Sequence, residues 1–219
     1  MKLSFDFNLR LSGVIKYFIL SDLVLIAGWG MVEPLFAVFI RDTIPGATLA
    51  TVGTSAAVYW LTKSLAQLPI ARFLDNRKGE EDDFYALVVS LILAGISALL
   101  FLAVRTPAQL YAVQVIHGLA FAVYSPAWLG IFSRHLDKER RSFEWALDST
   151  AVGVSAGIAG FIGGFMVEGF GYQSIFIVAG VLSLTSSLFI LSVPKLLLPP
   201  RTTRSSVLIP DKKSPRSGT

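Results

Sequence analysis

The sequence predicts an all-α integral membrane protein with six transmembrane helices and both termini in the cytoplasm. Of its 219 residues, 53% are hydrophobic and only 16% are charged, whereas soluble domains keep about a quarter of their residues charged. The mean hydropathy is +0.64. The charged residues gather in short stretches between long apolar runs, which is typical of a chain whose helices lie in lipid.

Six apolar runs are each long enough to cross the hydrocarbon core, which takes about 20 helical residues. Irregular backbone cannot face lipid, so each run is expected to be a helix. Residues 1–193 are therefore expected to form one six-helix transmembrane domain. The expected spans, in order, are residues 17–40, 49–71, 84–104, 109–132, 145–167 and 172–193.

The basic residues alternate between the two sides of these spans. The N-terminus, the loops at 72–83 and 133–144, and the tail at 194–219 carry sixteen of the nineteen Lys and Arg residues. Because basic flanks stay in the cytoplasm, both termini are expected inside. The tail is rich in Pro, Ser, Thr and basic residues, which predicts a disordered segment. It is either a solvated end or a site for lipid or a partner.

Composition and spacing exclude several classes of site. The chain has no cysteine, which removes disulfides and thiolate sites. His117 and His135 have no metal-ligand spacing, and no phosphate-cradling loop is present, so neither metal nor cofactor is expected. The net charge of +4 reflects topology rather than nucleic-acid binding. Residues 153–157 read GVSAG, but a nucleophilic serine of that pattern needs a strand-to-helix elbow, so no enzyme is expected.

Three segments resemble motifs of one transporter family. Residues 71–79 read ARFLDNRKG, residues 114–118 read QVIHG, and residues 159–164 read AGFIGG. They resemble the loop signature, the fourth-span Arg-x-x-x-Gly and the exporter Gly-Pro-x-x-Gly-Gly of the major facilitator superfamily. From residue 12 to residue 193 the chain looks like one six-helix half of such a transporter.

The resemblance implies a fold and a mechanism. The six helices would form two inverted three-helix repeats, with the substrate between two halves near the midplane. Asp75, Arg77 and Gly79 would belong to a gating loop. A full member has twelve spans, so this half is expected to pair with itself or with a second half-transporter chain.

A stripe of small residues suggests the partner surface. Gly153, Gly157, Gly160 and Gly164 recur at helical spacing, with Gly163 beside them. Close backbone approach over small residues drives helix association in lipid. The stripe either packs inside the six-helix unit or forms a two-fold seam with the second span of another copy, where Gly53 and Ala57 lie on one face.

Ionisable residues inside the spans are the candidate functional groups, because charge at this depth costs about 2.5–3.5 kcal/mol. Glu33, followed by the helix-kinking Pro34, is expected to carry a proton, and His117 at a similar depth is either a titrating group or a packing group. Lys63 is expected to pair with Asp22, or alternatively to contact an anionic solute. Asp148 is expected to cap or orient the fifth helix near the cytoplasmic surface.

The sequence thus predicts a half-sized secondary transporter in the cytoplasmic membrane. It would move a small solute by alternating access, coupled to protons, and the exporter-like glycine motif favours efflux. The alternative is a non-transporting scaffold or assembly partner with the same half-fold. A scaffold has no reason to keep Glu33 in an apolar span, so the acidic residue distinguishes the two hypotheses.

Overall fold

The computed structural model describes residues 11–76 and 80–192. Within these ranges the chain is almost entirely helical and contains seven α-helices. They are α1 (Gly13–Val32), α2 (Phe36–Thr43), α3 (Leu49–Asp75), α4 (Glu81–Leu100), α5 (Pro107–His135), α6 (Arg141–Phe170) and α7 (Tyr172–Leu191).

The first expected span is one long rod with a local irregularity. Helices α1 and α2 are joined by a single 3-10 turn, Glu33–Leu35, and together they run from Gly13 to Thr43. Pro34 explains the turn, because proline has no N–H and its ring disfavours the carbonyl four residues earlier. The amide of Glu33 still donates to the carbonyl of Trp29. The turn therefore interrupts the α-helix without ending the span.

The prediction of an all-helical, multi-span membrane protein is confirmed. Five rods in the described ranges are long and apolar enough to cross a membrane, namely the α1–α2 rod, α4 with its terminal 3-10 turn, α5, α6 and α7. The remaining segment, predicted as residues 49–71, forms the 27-residue α3 but is not among those five. It is the most polar of the six, since it carries Lys63 with several Ser, Thr and Gln residues. The tail at 194–219 lies outside the described residues.

Local chemistry explains where several helices begin and end. Thr48 and Thr51 form a reciprocal capping box at the start of α3, which satisfies amides that have no partner inside the helix. Thr106 caps α5 ahead of Pro107, the first-turn position that proline tolerates. Gly171, at φ +76°, separates α6 from α7 in a backbone conformation that residues with a Cβ rarely adopt.

Pairwise helix contacts build the bundle. Helix α1 packs on α6 and α7, α3 packs on α5, and α4 packs on both α5 and α7. A Cβ added to Gly28 would lie 2.9 Å from the backbone of Ala179, and one added to Gly118 would lie 2.9 Å from the carbonyl of Tyr59. These glycines allow the backbones to approach closely. Helices α3 and α6 each leave a broad apolar face exposed, including Leu65 and Leu68 on α3 and Phe161 and Phe165 on α6.

Candidate functional site in the transmembrane bundle

A cavity of about 440 Å³ lies between α1, α3 and α5, within the size range of small-molecule sites. Five of its twelve lining residues are aromatic, and its polar groups include three of the four residues predicted for the solute and proton site: Glu33, Lys63 and His117. The fourth, Asp22, lies outside this cavity. The structure therefore brings residues from three separate spans together at one site.

Glu33 lies in the 3-10 turn and is exposed at the cavity. Within the described residues its carboxylate has no hydrogen bond or ion pair, and it is close enough to Tyr59 on α3 for the two side chains to interact electrostatically. The carboxylate is thus available to a solute or a proton that enters the cavity.

His117 is held firmly between two aromatic rings. Its imidazole stacks on Trp29 with centroids 4.1 Å apart, and on the other side lies 4.6 Å from the ring of Tyr59. Gln114 donates through Nε2 to Ser55 Oγ at 2.9 Å, and its Oε1 lies 3.2 Å from His117 Nδ1. Since Oε1 only accepts, this network requires a hydrogen on Nδ1. The packing role that the sequence left open for His117 is therefore present.

The expected ion pair between Lys63 and Asp22 is wrong. Among the described residues Lys63 makes no ion pair, and its Nζ lies 5.2 Å from the ring centroid of Trp60 and 5.9 Å from that of Phe121. Asp22 instead accepts a 2.5 Å hydrogen bond from the hydroxyl of Tyr124 on α5. Sequence reasoning estimated only axial depth, and the rotation of the helices turned the two side chains toward different partners.

Asp148 is also placed differently from the prediction. It lies two turns inside α6, whose N-cap is Arg140, so it does not cap the helix. It is 6% exposed, and its Oδ1 has no hydrogen-bond partner among the described residues. Asp22 and Tyr124 are close enough for electrostatic interaction with it. A second polar cluster thus lies between α1, α5 and α6, and the sequence did not predict it.

The predicted gating loop is only partly described. Asp75 is the exposed last residue of α3, whereas Arg77 and Gly79 lie outside the described residues. The structure adds an ion-pair network that the sequence did not predict. Arg134 at the end of α5 contacts Asp83 and, at 2.9 Å, Glu80, both at the start of α4. The acidic stretch 80–83 is the sequence feature that could have predicted this network, although acidic residues also stabilise a helix N-terminus without any ion pair.

The glycine stripe on α6 divides into two sets. A Cβ added to Gly163 would lie 3.0 Å from Met31 on α1, and one added to Gly160 would lie 3.4 Å from the carbonyl of Gly30. These two glycines pack inside the unit. The other three members of the stripe, Gly153, Gly157 and Gly164, have no atom within 4 Å of an added Cβ. The same is true of Gly53, the counterpart on α3. Ala57 is likewise exposed.

The hydrolase-like pattern on α6 has a structural explanation. Ser155 lies in mid-helix, and its hydroxyl donates at 3.0 Å to the carbonyl of Leu23 on α1. The hydroxyl therefore joins two helices and is not presented at a strand-to-helix elbow. In the described part of the chain, no group of three or more His, Asp or Glu side chains is arranged to hold a metal ion.

Comparison with known proteins identifies the family. The Major Facilitator Superfamily profile matches residues 18–217. An uncharacterized MFS-type transporter of Methanocaldococcus jannaschii is 23% identical over 161 residues, which cover 74% of this chain and 40% of that relative. The chain thus matches less than half of the relative's length, and 219 residues fit one half unit of the fold. The chain belongs to the Major Facilitator Superfamily, and it is a multi-pass membrane protein.

Proposed function

We propose that this chain is a half-sized secondary transporter that moves a small solute across the cytoplasmic membrane by alternating access, coupled to protons and working as a dimer. The cavity between α1, α3 and α5 carries this proposal, because it holds Glu33 and Lys63 without an ion-pair partner among the described residues. Each ionised group in a span costs about 2.5–3.5 kcal/mol, and a purely structural unit has no reason to keep such groups.

The helix contacts support an inverted repeat of three spans. When the first span is exchanged with the fourth, the second with the fifth and the third with the sixth, the main contacts exchange as well. The packing of α3 on α5 corresponds to that of α6 on α1, and the packing of α1 on α7 corresponds to that of α5 on α4. The contact between α4 and α7 maps onto itself. With the basic flanks, this supports cytoplasmic termini and a two-repeat half-fold.

Glu33 is our candidate for the coupling proton. Its carboxylate faces the cavity and is free of protein partners in the described ranges, so it can exchange a proton with water or with a solute. The 3-10 turn at Pro34 interrupts the helix at this point, and irregular backbone at membrane depth is tolerated where it lines a cavity. The exporter-like glycines on α6 favour movement outward.

A second six-helix unit would supply the facing wall of the cavity. We propose that a second copy does so, with the open glycines of α6 packing on α3 of the partner, near Gly53 and Ala57. The open space around Gly157 and Gly164 supports this surface, since small residues permit close helix contact. Gly160 and Gly163 are not part of the proposed seam.

Flux measurements on the Glu33→Gln variant test the proposal. The protein is reconstituted in liposomes that contain a pH-sensitive dye, and small apolar and aromatic solutes are added against a proton gradient. We expect solute-dependent proton movement in the wild type and at least about a tenfold loss in Glu33→Gln, because the amide cannot carry the proton.

Glu168→Gln is the matched control. Glu168 is an exposed acid on α6, outside the cavity, and its replacement should leave flux unchanged. Retained proton movement in Glu33→Gln would remove this residue from the coupling step. Absence of flux in the wild type for every solute would favour the scaffold function instead.

A further inference from the structure

Lys63 lies too deep in its helix to reach water at either end. It is the fifteenth of the 27 residues of α3. At 1.5 Å of rise per residue it is about 21 Å from the first residue of the helix and about 18 Å from the last. Lysines near helix ends bring their ammonium group to the interface, but this one cannot do so. Its charge must be accommodated inside the cavity that it lines.

The surrounding protein compensates this charge only in part. The rings of Trp60 and Phe121 lie within 6 Å of Nζ, a distance at which the ring faces attract cations. No carboxylate pairs with Lys63 in the part of the chain that the structure describes, since Asp22 is bonded to Tyr124. His117 also lines the cavity, but an imidazole is neutral or positive and does not supply a negative partner.

The walls next to Lys63 are aromatic. Tyr59 and Trp60 on α3 and Phe121 on α5 line the same cavity, and their rings contact one another edge to face. Ring surfaces of this kind bind apolar or aromatic groups. The site thus combines one unpaired cation with an apolar lining.

We propose that the cavity binds a small organic carboxylate with an aromatic or apolar body. The carboxylate group contacts Lys63, and the body packs on the rings of Tyr59, Trp60 and Phe121. This inference rests on the proposed function only in taking the cavity as the solute site. It adds that the solute is negatively charged and that Lys63 is the residue that binds its charged group.

Glu33 does not provide an equivalent site for a cationic solute. It is exposed at the rim of the cavity, whereas Lys63 is half-buried, and a cation in the apolar part of the cavity would be repelled by the ammonium group. The two residues thus have opposite effects on an anion: Lys63 attracts it and an ionised Glu33 repels it. This difference gives the test two variants with opposite expected signs.

Calorimetric titration of the protein in nanodiscs, with empty nanodiscs subtracted, tests the inference with three probes of similar size. We expect 3-phenylpropionate to bind more tightly than 3-phenylpropanol and 3-phenylpropylamine. Lys63→Met should weaken 3-phenylpropionate binding at least about tenfold, as loss of a charge-assisted contact does. Lys63→Arg should retain it, and Glu33→Gln should tighten it, because the amide no longer repels the anion.

Several outcomes would overturn the inference: preference for the amine or the alcohol, no binding of any probe, or unchanged affinity in Lys63→Met. Retention in Lys63→Arg shows that the site is folded and that positive charge is what matters. The assay needs no flux, so its failure is separable from that of the proposed function. Binding that depends on Lys63 without any transport would contradict only the transport proposal.

Discussion

Polar side chains inside this bundle mostly find partners on other spans. Ser21 on α1 and Ser186 on α7 are joined at 2.7 Å between their hydroxyls, and Tyr124 on α5 donates to Asp22 on α1. In lipid, such bonds contribute about 0.6 kcal/mol on average and up to about 1.7 kcal/mol. Removing the hydrogen-bond donor of a buried carboxylate lowers the free energy of unfolding by more than this, because no water replaces the donor.

The Tyr124→Phe variant tests this at the Asp22 cluster. It removes one hydroxyl and leaves the ring, so the buried Asp22 loses its donor while packing is kept. We expect the free energy of unfolding to fall by about 1–3 kcal/mol, measured by thermal unfolding in detergent. Tyr111→Phe is the control, because the described structure records no hydrogen bond from that hydroxyl; an equal effect of the two variants would argue against the role of the Tyr124–Asp22 bond.

Sequence reasoning found the ionisable residues but not their partners. Glu33, Lys63 and His117 were recognised because charged or polar groups are rare in apolar runs, and all three line one cavity. The partner of Asp22 lies 102 residues away, and which side chain faces it depends on the rotation of two helices. Axial depth alone predicted Lys63 as the partner of Asp22. The ammonium group of Lys63 in fact lies near the rings of Trp60 and Phe121.

At the level of helices, the contact between α1 and α6 depends on glycine. Gly30 and Gly163 each bring the two backbones close, since an added Cβ would lie within 3.0 Å of the facing helix. The sequence spacing placed Gly160 and Gly164 on one face of α6. Only the position of α1 shows that Gly160 packs on α1 and that Gly164 does not.

Two neighbouring substitutions separate these roles. Gly163→Ala should lower the free energy of unfolding by about 1–3 kcal/mol, because its Cβ meets the backbone of Met31 and α1 must move. Gly164→Ala should leave it unchanged or raise it by up to about 1 kcal/mol, because the site is open and alanine favours the helix. Thermal unfolding of the two purified variants decides, and equal effects would contradict the assigned packing.

The helices themselves were largely readable from hydropathy and proline. The run lengths predicted the rods, and Pro34 predicted the interruption between α1 and α2. The true helices extend further at several ends, α3 to Asp75 and α6 from Arg141 to Phe170. Helix α4 also starts earlier and α5 also ends later than expected, and the ion pair between Arg134 and Glu80 joins these two added ends. Hydropathy carries no information about such contacts.

For the whole molecule, three short motifs predicted the family, and the profile match over residues 18–217 confirms that prediction. They did not predict how a half unit completes its cavity. Helices α3 and α6, which pack on α5 and α1 respectively, each leave an apolar face exposed, and each face is open to lipid or to a second unit. The central claim of a half-transporter therefore depends on how many copies assemble.

Native mass spectrometry of the purified chain released from nanodiscs tests that claim most directly. We predict a species of two copies of the 23.8 kDa chain, and its conversion to single copies in the Gly157→Leu, Gly164→Leu double variant, which fills the open positions on α6. A single-copy mass for the wild type at every protein concentration would contradict the homodimer and leave the cavity without its second wall.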